Sequence, residues 1–256
     1  MNSTPPSPIT NHLIDRLPQQ ERASFLADCQ VIDLVFGEVI TEHGGRISHV
    51  HFPLDSFISQ IANLSSDREQ LEVAMVGSEG MLGTPLILGV DESPWLALVQ
   101  GAGPALRMPA AVFGRHLAQS PTLQALLKRY LYVVMHQLSR VAACTHFHQV
   151  EARLARWLLM TQDRAHSDEL HLTHEFLAMM LGVRRAGITL AAMALQSRRL
   201  IRYQRGDIVV LDRTGLIEAS CGCYASDRSL YRRHITGGGA ALDLLTRPGE
   251  ASAGKS

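Results

Sequence analysis

The chain has 256 residues, 46% of them hydrophobic and 19% charged, long enough for two modest domains and ordinary for a globular protein. No apolar run approaches the roughly 20 residues that span a bilayer. The polar, proline-rich opening MNSTPPSPITNH is unlike a signal peptide, and four scattered cysteines make no disulfide framework, so a cytoplasmic protein without a membrane partner is expected.

Residues 1–12 read as disordered, and residues 13–30 (LIDRLPQQERASFLADCQ) as one or two short amphipathic helices. From Val31 to about Pro109 the hydrophobic period falls to two. VIDLVF, EVIT, ISHVHF, SFISQIANL, QLEVAMV, WLALVQ and ALRMP are strand candidates. Turns at His43-Gly44-Gly45, Ser65-Ser66-Asp67, Gly77-Ser78 and Gly101-Ala102-Gly103 separate them. Many short strands with glycine-rich turns suggest a β-roll or jelly roll over residues 13–120. Residues 121–145 read as one long helix with Pro121 in its first turn. Leu123, Leu127, Tyr130, Val134, Leu138 and Val141 form a stripe near the coiled-coil period, widened by Leu126, Val133 and Ala142. A hinge follows near Thr145–His148. Residues 148–165 then form an amphipathic helix with Val150, Leu154, Trp157 and Leu158 inward and Arg153, Arg156 and Arg164 outward.

Leu172–Leu211 reads as two short helices, a tight turn and a β-hairpin. Leu177, Leu181, Ile188, Ala191 and Leu195 give each helix one apolar stripe. Thr173 is placed to cap the first helix, with Glu175 in its first turn. Gly182 suits a φ > 0 helix end, and Ala178 leaves room for two helix axes to cross. IRYQ and DIVVL flank Arg205-Gly206, a hairpin turn. Arg213–Ala219 looks like a short closing helix, and residues 237–256 like a loose, flexible tail.

Through Leu177, Ala178, Leu181, Gly182, Val183 and Ile188, then the Leu200-Ile201 entry into the hairpin, this stretch resembles the winged helix-turn-helix of the Crp/Fnr superfamily of bacterial transcription regulators. Farther forward, FGEVITEHGGRISHVHFPLDSFISQ resembles the opening strands of that family's cyclic-nucleotide-binding-type roll. VGSEGMLGTPLILG resembles its short phosphate-holding helix. The resemblance spans about residues 15–224. It implies an α+β protein with an N-terminal β-roll sensor, a dimerisation helix with hinge over residues 121–147, and a DNA-binding domain over residues 148–236. It also implies a homodimer on double-stranded DNA, with RNA polymerase as a further partner. One departure bears on the effector. Glu79, Gly80, Met81 and Leu82 keep the first part of the family's phosphate motif, but Glu92 stands where an arginine would neutralise the phosphate, and no nearby basic residue replaces it. Cyclic AMP and cyclic GMP are therefore not expected, and the roll holds an unknown small-molecule effector or none.

The net charge is zero, but it is unevenly spread. Residues 1–145 hold 9 Lys/Arg against 13 Asp/Glu, and residues 146–236 hold 13 against 9. A basic back half is what a chain shows when only that half meets phosphates. Arg184, Arg185, Arg198, Arg199, Arg202 and Arg205 all fall in the motif. The resemblance places residues 184–197 in the major groove. With Ile188, Ala191 and Leu195 buried, Ala186, Thr189, Leu190 and Met193 face outward, flanked by Arg185 and Gln196. Arg185 is the candidate base reader, because guanidinium pairs with the two acceptors of guanine. Ala186 and Leu190 occupy places where the family often carries glutamate and arginine, so a thymine-rich step is expected. Thr173, Arg184, Arg202 and Arg205 are the candidate phosphate contacts.

Other chemistry is weakly signalled. Cys221-Gly-Cys223 has one spacer residue where zinc knuckles have two, and Cys29 and Cys144 are isolated, so no metal and no cofactor is expected. A metal-, haem- or redox-responsive regulator of the same fold and a dimeric scaffold that binds no DNA are the alternatives. Among the histidines, His136 could face a bound group but reads better as partly exposed. There is no P-loop, dinucleotide fingerprint or nucleophile elbow, and no enzyme is expected.

Overall fold

The structure, a computed structural model, describes residues 10–63 and 69–237. The Ser65-Ser66-Asp67 turn, residues 1–9 and the tail beyond Gly237 lie outside the described residues. All seven expected strands form: β1 (Gln30–Leu34), β2 (Val39–Thr41), β3 (His49–Pro53), β4 (Phe57–Asn63), β5 (Gln70–Val76), β6 (Leu96–Gly101) and β7 (Gly103–Pro109). They build two antiparallel sheets, ordered β1-β7-β3 and β2-β6-β4-β5. Leu34, Ile58, Leu82, Ala97, Val99 and Ala105 fill the space between them. The expected phosphate-helix segment contains only a 3-10 turn, Thr84–Leu88, bounded by Gly83 and Gly89 at positive φ.

Helices close one face of the roll. These are α1 (Gln19–Ala27), α2 (Ala110–Gln119) and the 27-residue α3 (Pro121–Phe147), whose start is capped by the Ser120 hydroxyl. Phe25, Phe52, Phe113, Leu127 and Met108 share their core. Asn11, expected in a disordered stretch, is buried instead. Its amide donates to the carbonyls of Pro53 (3.0 Å) and Gly80 (2.8 Å), pinning the N-terminal segment to the roll.

After the break at residues 148–149 come α4 (Val150–Ala165), β8 (Glu169–His171), α5 (His174–Leu181) and α6 (Arg185–Ser197). The wing strands β9 (Ile201–Gln204) and β10 (Asp207–Val210) and helix α7 (Arg213–Ala219) follow. Strand β8 is absent from the sequence-based expectation; it pairs with β10 and makes the wing three-stranded. Equally unexpected are α8 (Cys223–Tyr231) and a π-helical turn at Arg232–Thr236. They fold back onto α3, where Ile235 joins the roll's own core and the Tyr231 hydroxyl donates to the Glu79 carbonyl at 2.7 Å.

The helix-turn-helix is docked on the roll. Ile61 and Met75 of the roll share one apolar cluster with Leu154, Leu158, Leu177, Ile188 and Leu195. The three arginines expected to face solvent on α4 are instead turned into this junction. Arg164 pairs with Glu79 (Nε–Oε1 3.0 Å), and Arg156 pairs with Asp227 of α8 (3.0 Å). Arg153 is buried and donates to the Leu181 carbonyl. The polar face of α4 is real, but carboxylates of two other elements cover it, not water.

Candidate nucleic-acid interface

The turn between α5 and α6 is built as its residues dictate. Thr173 Oγ1 accepts from the Phe176 amide (3.1 Å) and caps α5. Gly182 ends that helix at φ 62°, with the Gly182 and Val183 amides bonded back to the Met179 and Ala178 carbonyls. The two helices bend 107° apart at this break, within the roughly 90–120° of a helix-turn-helix. Buried Ile188, Ala191, Ala192 and Leu195 seat α6 against α4, leaving its opposite side to solvent. The wing turn Arg205-Gly206 has positive φ at both residues (53° and 93°), the geometry that matches strand twist in a two-residue hairpin.

The exposed side of α6 carries Arg185, Ala186, Leu190 (68% exposed) and Met193 (62%). Thr189, expected to face outward, is half-buried. Its hydroxyl donates to the Arg185 carbonyl (3.2 Å) and meets Nδ1 of His174 (3.0 Å). His174 in turn stacks on Tyr203 of the wing, ring centroids 4.1 Å apart, and the Gln196 side chain accepts from the Tyr203 amide at 2.8 Å. Thr189 and Gln196 thus lock α6 to its neighbours, and burial together with Arg185 lowers the pKa of His174. No side chain caps the N-terminus of α6, although the Gly187 amide bonds the Arg184 carbonyl at 2.8 Å. Arg184, Arg185, Arg202 and Arg205 are exposed and make no ion pair among the described residues. Arg198 pairs with Glu151 (3.1 Å).

The candidate effector residues do not converge. Gly80 lies so close to Tyr130 of α3 that a Cβ there would sit 2.2 Å from the tyrosine hydroxyl, which accepts from the Met81 amide at 3.2 Å. Met81 and Leu82 are core residues. Glu92 is exposed, and its backbone forms an isolated antiparallel β-bridge with Arg46, whose side chain pairs with Asp91 (3.0 Å). A basic residue does therefore stand beside Glu92, brought there by the fold from 46 positions away. A cavity of about 760 Å³ opens between β5, α3, α4 and α8, lined by Glu72, Arg156, Arg164 and Tyr231 and, of the candidate effector residues, by Glu79.

On α3, Leu123, Leu127, Tyr130 and Val134 are buried against the roll within one chain, and Leu138 and Val141 are half-buried. The exposed side of this helix carries Tyr132, Met135, Ser139, Ala142 and Ala143. His136 is half-buried and faces Asp227 (4.0 Å). Cys144, expected to stand alone, is not isolated in space. Cys144 and His148 meet Cys221 and Cys223 at the α3–α4 break. The Cys144/His148 spacing of one helical turn is the signal the sequence offers, and it is strong only once the second pair is beside it.

Comparison with known proteins agrees with this anatomy. Residues 152–219 match the family model of the Crp-like helix-turn-helix domain. No curated protein matches the chain in sequence. Among solved structures, a Crp/Fnr-family regulator from Eubacterium rectale superposes with a TM-score of 0.63 at 16% identity, covering 81% of this chain and 96% of that one. The c-di-GMP-responsive global regulator CLP of Xanthomonas campestris gives 0.62 at 16% identity, covering 75% and 99%. A Crp/Fnr-family regulator of Thermus thermophilus gives 0.61 at 21% identity, covering 75% and 98%. Residues 152–219 are a Crp-like helix-turn-helix domain, and the chain shares with these regulators the fold in which a β-roll and a long helix lead into it.

Proposed function

We propose that the chain is a sequence-specific DNA-binding transcription regulator acting as a homodimer on a two-fold symmetric operator. The observation that carries this reading is the uncovered side of α6, flanked by unpaired Arg184, Arg185, Arg202 and Arg205. Arg185 stands in the first turn, where a guanidinium reaches base edges. Arg202 and Arg205 on the wing and Arg184 before α6 are placed to hold phosphates. Fluorescence anisotropy with DNA from upstream of its own gene tests the assignment. Arg185→Ala should cost about 1–3 kcal/mol on the specific site and little on random DNA. Arg205→Ala should weaken both alike and lower the salt slope by about 1. Equal loss on both DNAs for Arg185→Ala would remove it as a base reader. Leu190 and Ala186 favour a thymine methyl, so uracil-substituted half-sites should bind more weakly.

Pairing is assigned to the exposed side of α3, because the roll already covers Leu127, Tyr130 and Val134. Met135, 60% exposed, is its apolar centre. Met135→Glu would place like charges across a two-fold contact and should weaken dimerisation at least about tenfold, or 1.4 kcal/mol. Light scattering over a concentration series reads this, and an unchanged dimer would exclude that side of the helix. Tyr130 fills the place beside Gly80 and takes the Met81 amide, which argues against a cyclic nucleotide phosphate there. RNA polymerase remains the expected protein partner.

A further inference from the structure

Four side chains from distant parts of the chain meet where α3 gives way to α4. Cys144 is in the last turn of α3, His148 lies one turn later at the break, Cys221 lies in the link after α7, and Cys223 opens α8. Cys144 Sγ is 3.6 Å from Cys221 Sγ. His148 Nδ1 is 3.4 Å from Cys144 Sγ and 3.6 Å from Cys223 Sγ. All four of these atoms lie within 4.8 Å of one another, and the three thiols are buried. Thiols are weak hydrogen-bond donors, which gives little reason to gather three of them around one imidazole nitrogen. As edges of a coordination polyhedron the separations make sense. A tetrahedral ion with metal–sulfur bonds of about 2.3 Å and metal–nitrogen bonds of about 2.0–2.1 Å has S···S edges near ~3.8 Å and S···N edges near ~3.6 Å.

We propose that Cys144, His148, Cys221 and Cys223 form a closed tetrahedral site for one thiophilic divalent cation, zinc by ligand type. Three sulfurs and one imidazole nitrogen are a recognised structural zinc set, and the compactness of the four ligand atoms suits a single ion, not a multinuclear cluster. Binding releases the three thiol protons to solvent and changes no oxidation state. Three thiolates around a divalent ion leave one net negative charge. Arg156, whose positive charge is felt by all three thiols, lies beside them to balance it. With four protein ligands no position remains for a reacting water, so the role is structural. Cys144 and Cys221 are 77 positions apart, and the ion would fasten the end of α3, the break after it and the α7–α8 link to one point.

The test uses the full chain purified anaerobically with reductant. Elemental analysis should find about one zinc per chain, and chelator-stripped protein should rebind Zn2+ more tightly than about 1 µM. Co2+ in its place should give the ligand-field bands of a tetrahedral ion and a thiolate charge-transfer band. Cys223→Ser and the surface substitution His148→Ala should each weaken binding at least about tenfold, with folding checked by circular dichroism. Cys29→Ser, outside the cluster, should leave binding unchanged. The assignment is overturned if the stripped wild-type chain binds neither ion, if His148→Ala binds as tightly as wild type, or if Cys144 and Cys221 are recovered from cells as a disulfide. Metal content is read without DNA, so these outcomes leave the operator-binding reading standing.

Discussion

Asp227→Ala should destabilise the chain by about 3–5 kcal/mol, the cost of leaving buried cations without their counter-charge. Asp227 is 8% exposed and sits between Arg156 (3.0 Å, from α4) and Arg140 (3.2 Å, from α3), with His136 at 4.0 Å. Its carboxylate fastens three helices, α3, α4 and α8, together. Burial raises its pKa despite these cations, so the carboxylate is held at some desolvation cost and a neutral isostere should be tolerated better than a deletion. Chemical denaturation should therefore rank wild type above Asp227→Asn and Asp227→Asn well above Asp227→Ala. A loss under about 1 kcal/mol for the alanine variant would show that water reaches the two guanidinium groups and that the triad contributes like a surface pair.

Glu72→Gln should do the opposite and stabilise the protein at alkaline pH. Glu72 lies in β5 at the junction of roll and α4, where it accepts from Trp157 Nε1 (2.9 Å) and from the Ser59 hydroxyl, with Gln100 Nε2 at 3.4 Å. Burial dominates and raises its pKa from 4.5 to about 7. The folded chain therefore holds a proton between about pH 4.5 and 7 that the unfolded chain has released. This contribution is complete below pH 4.5 and lost as pH rises through 7, which corresponds to a penalty on the order of 3 kcal/mol at pH 8. Glutamine removes the titration and keeps an acceptor for Trp157. Gln100 Oε1, buried without a partner, can take the new amide after a flip. Melting curves should show Glu72→Gln ahead of wild type at pH 8 and level with it at pH 5. An equal gain at both pH values would mean that packing, not ionisation, is responsible.

The legible parts of this molecule are those in which local chemistry and period agree. The seven roll strands stand out as short apolar-rich runs between turn residues. Thr173 caps α5 and Gly182 ends it at positive φ, as their residue types predict, and Ala178 is buried between them. What periodicity does not contain is the identity of the surface that covers a given face. The stripe through Leu127, Tyr130 and Val134 is apolar, as its spacing predicts, but the spacing does not say that the roll's own core would cover it. Arg153, Arg156 and Arg164 make a polar face, as their spacing predicts, yet Asp227, Glu79 and the Leu181 carbonyl lie over them. Thr189 has the spacing of an outward residue but is drawn in by His174. The backbone bridge between Arg46 and Glu92, and the meeting of Cys144 with Cys221, depend on long-range register that no single segment encodes.

The return of α8 and the π-turn to the first half of the chain has a consequence for biosynthesis. Ile235 is 4% exposed within the same core as Phe25, Phe52 and Phe113. Domains commonly fold in the order in which the ribosome emits them. Here the roll emerges first but lacks a piece of its interior until Ile235, near the last described residue, has left the exit tunnel, so its closure waits on a segment made about 125 positions after its last strand.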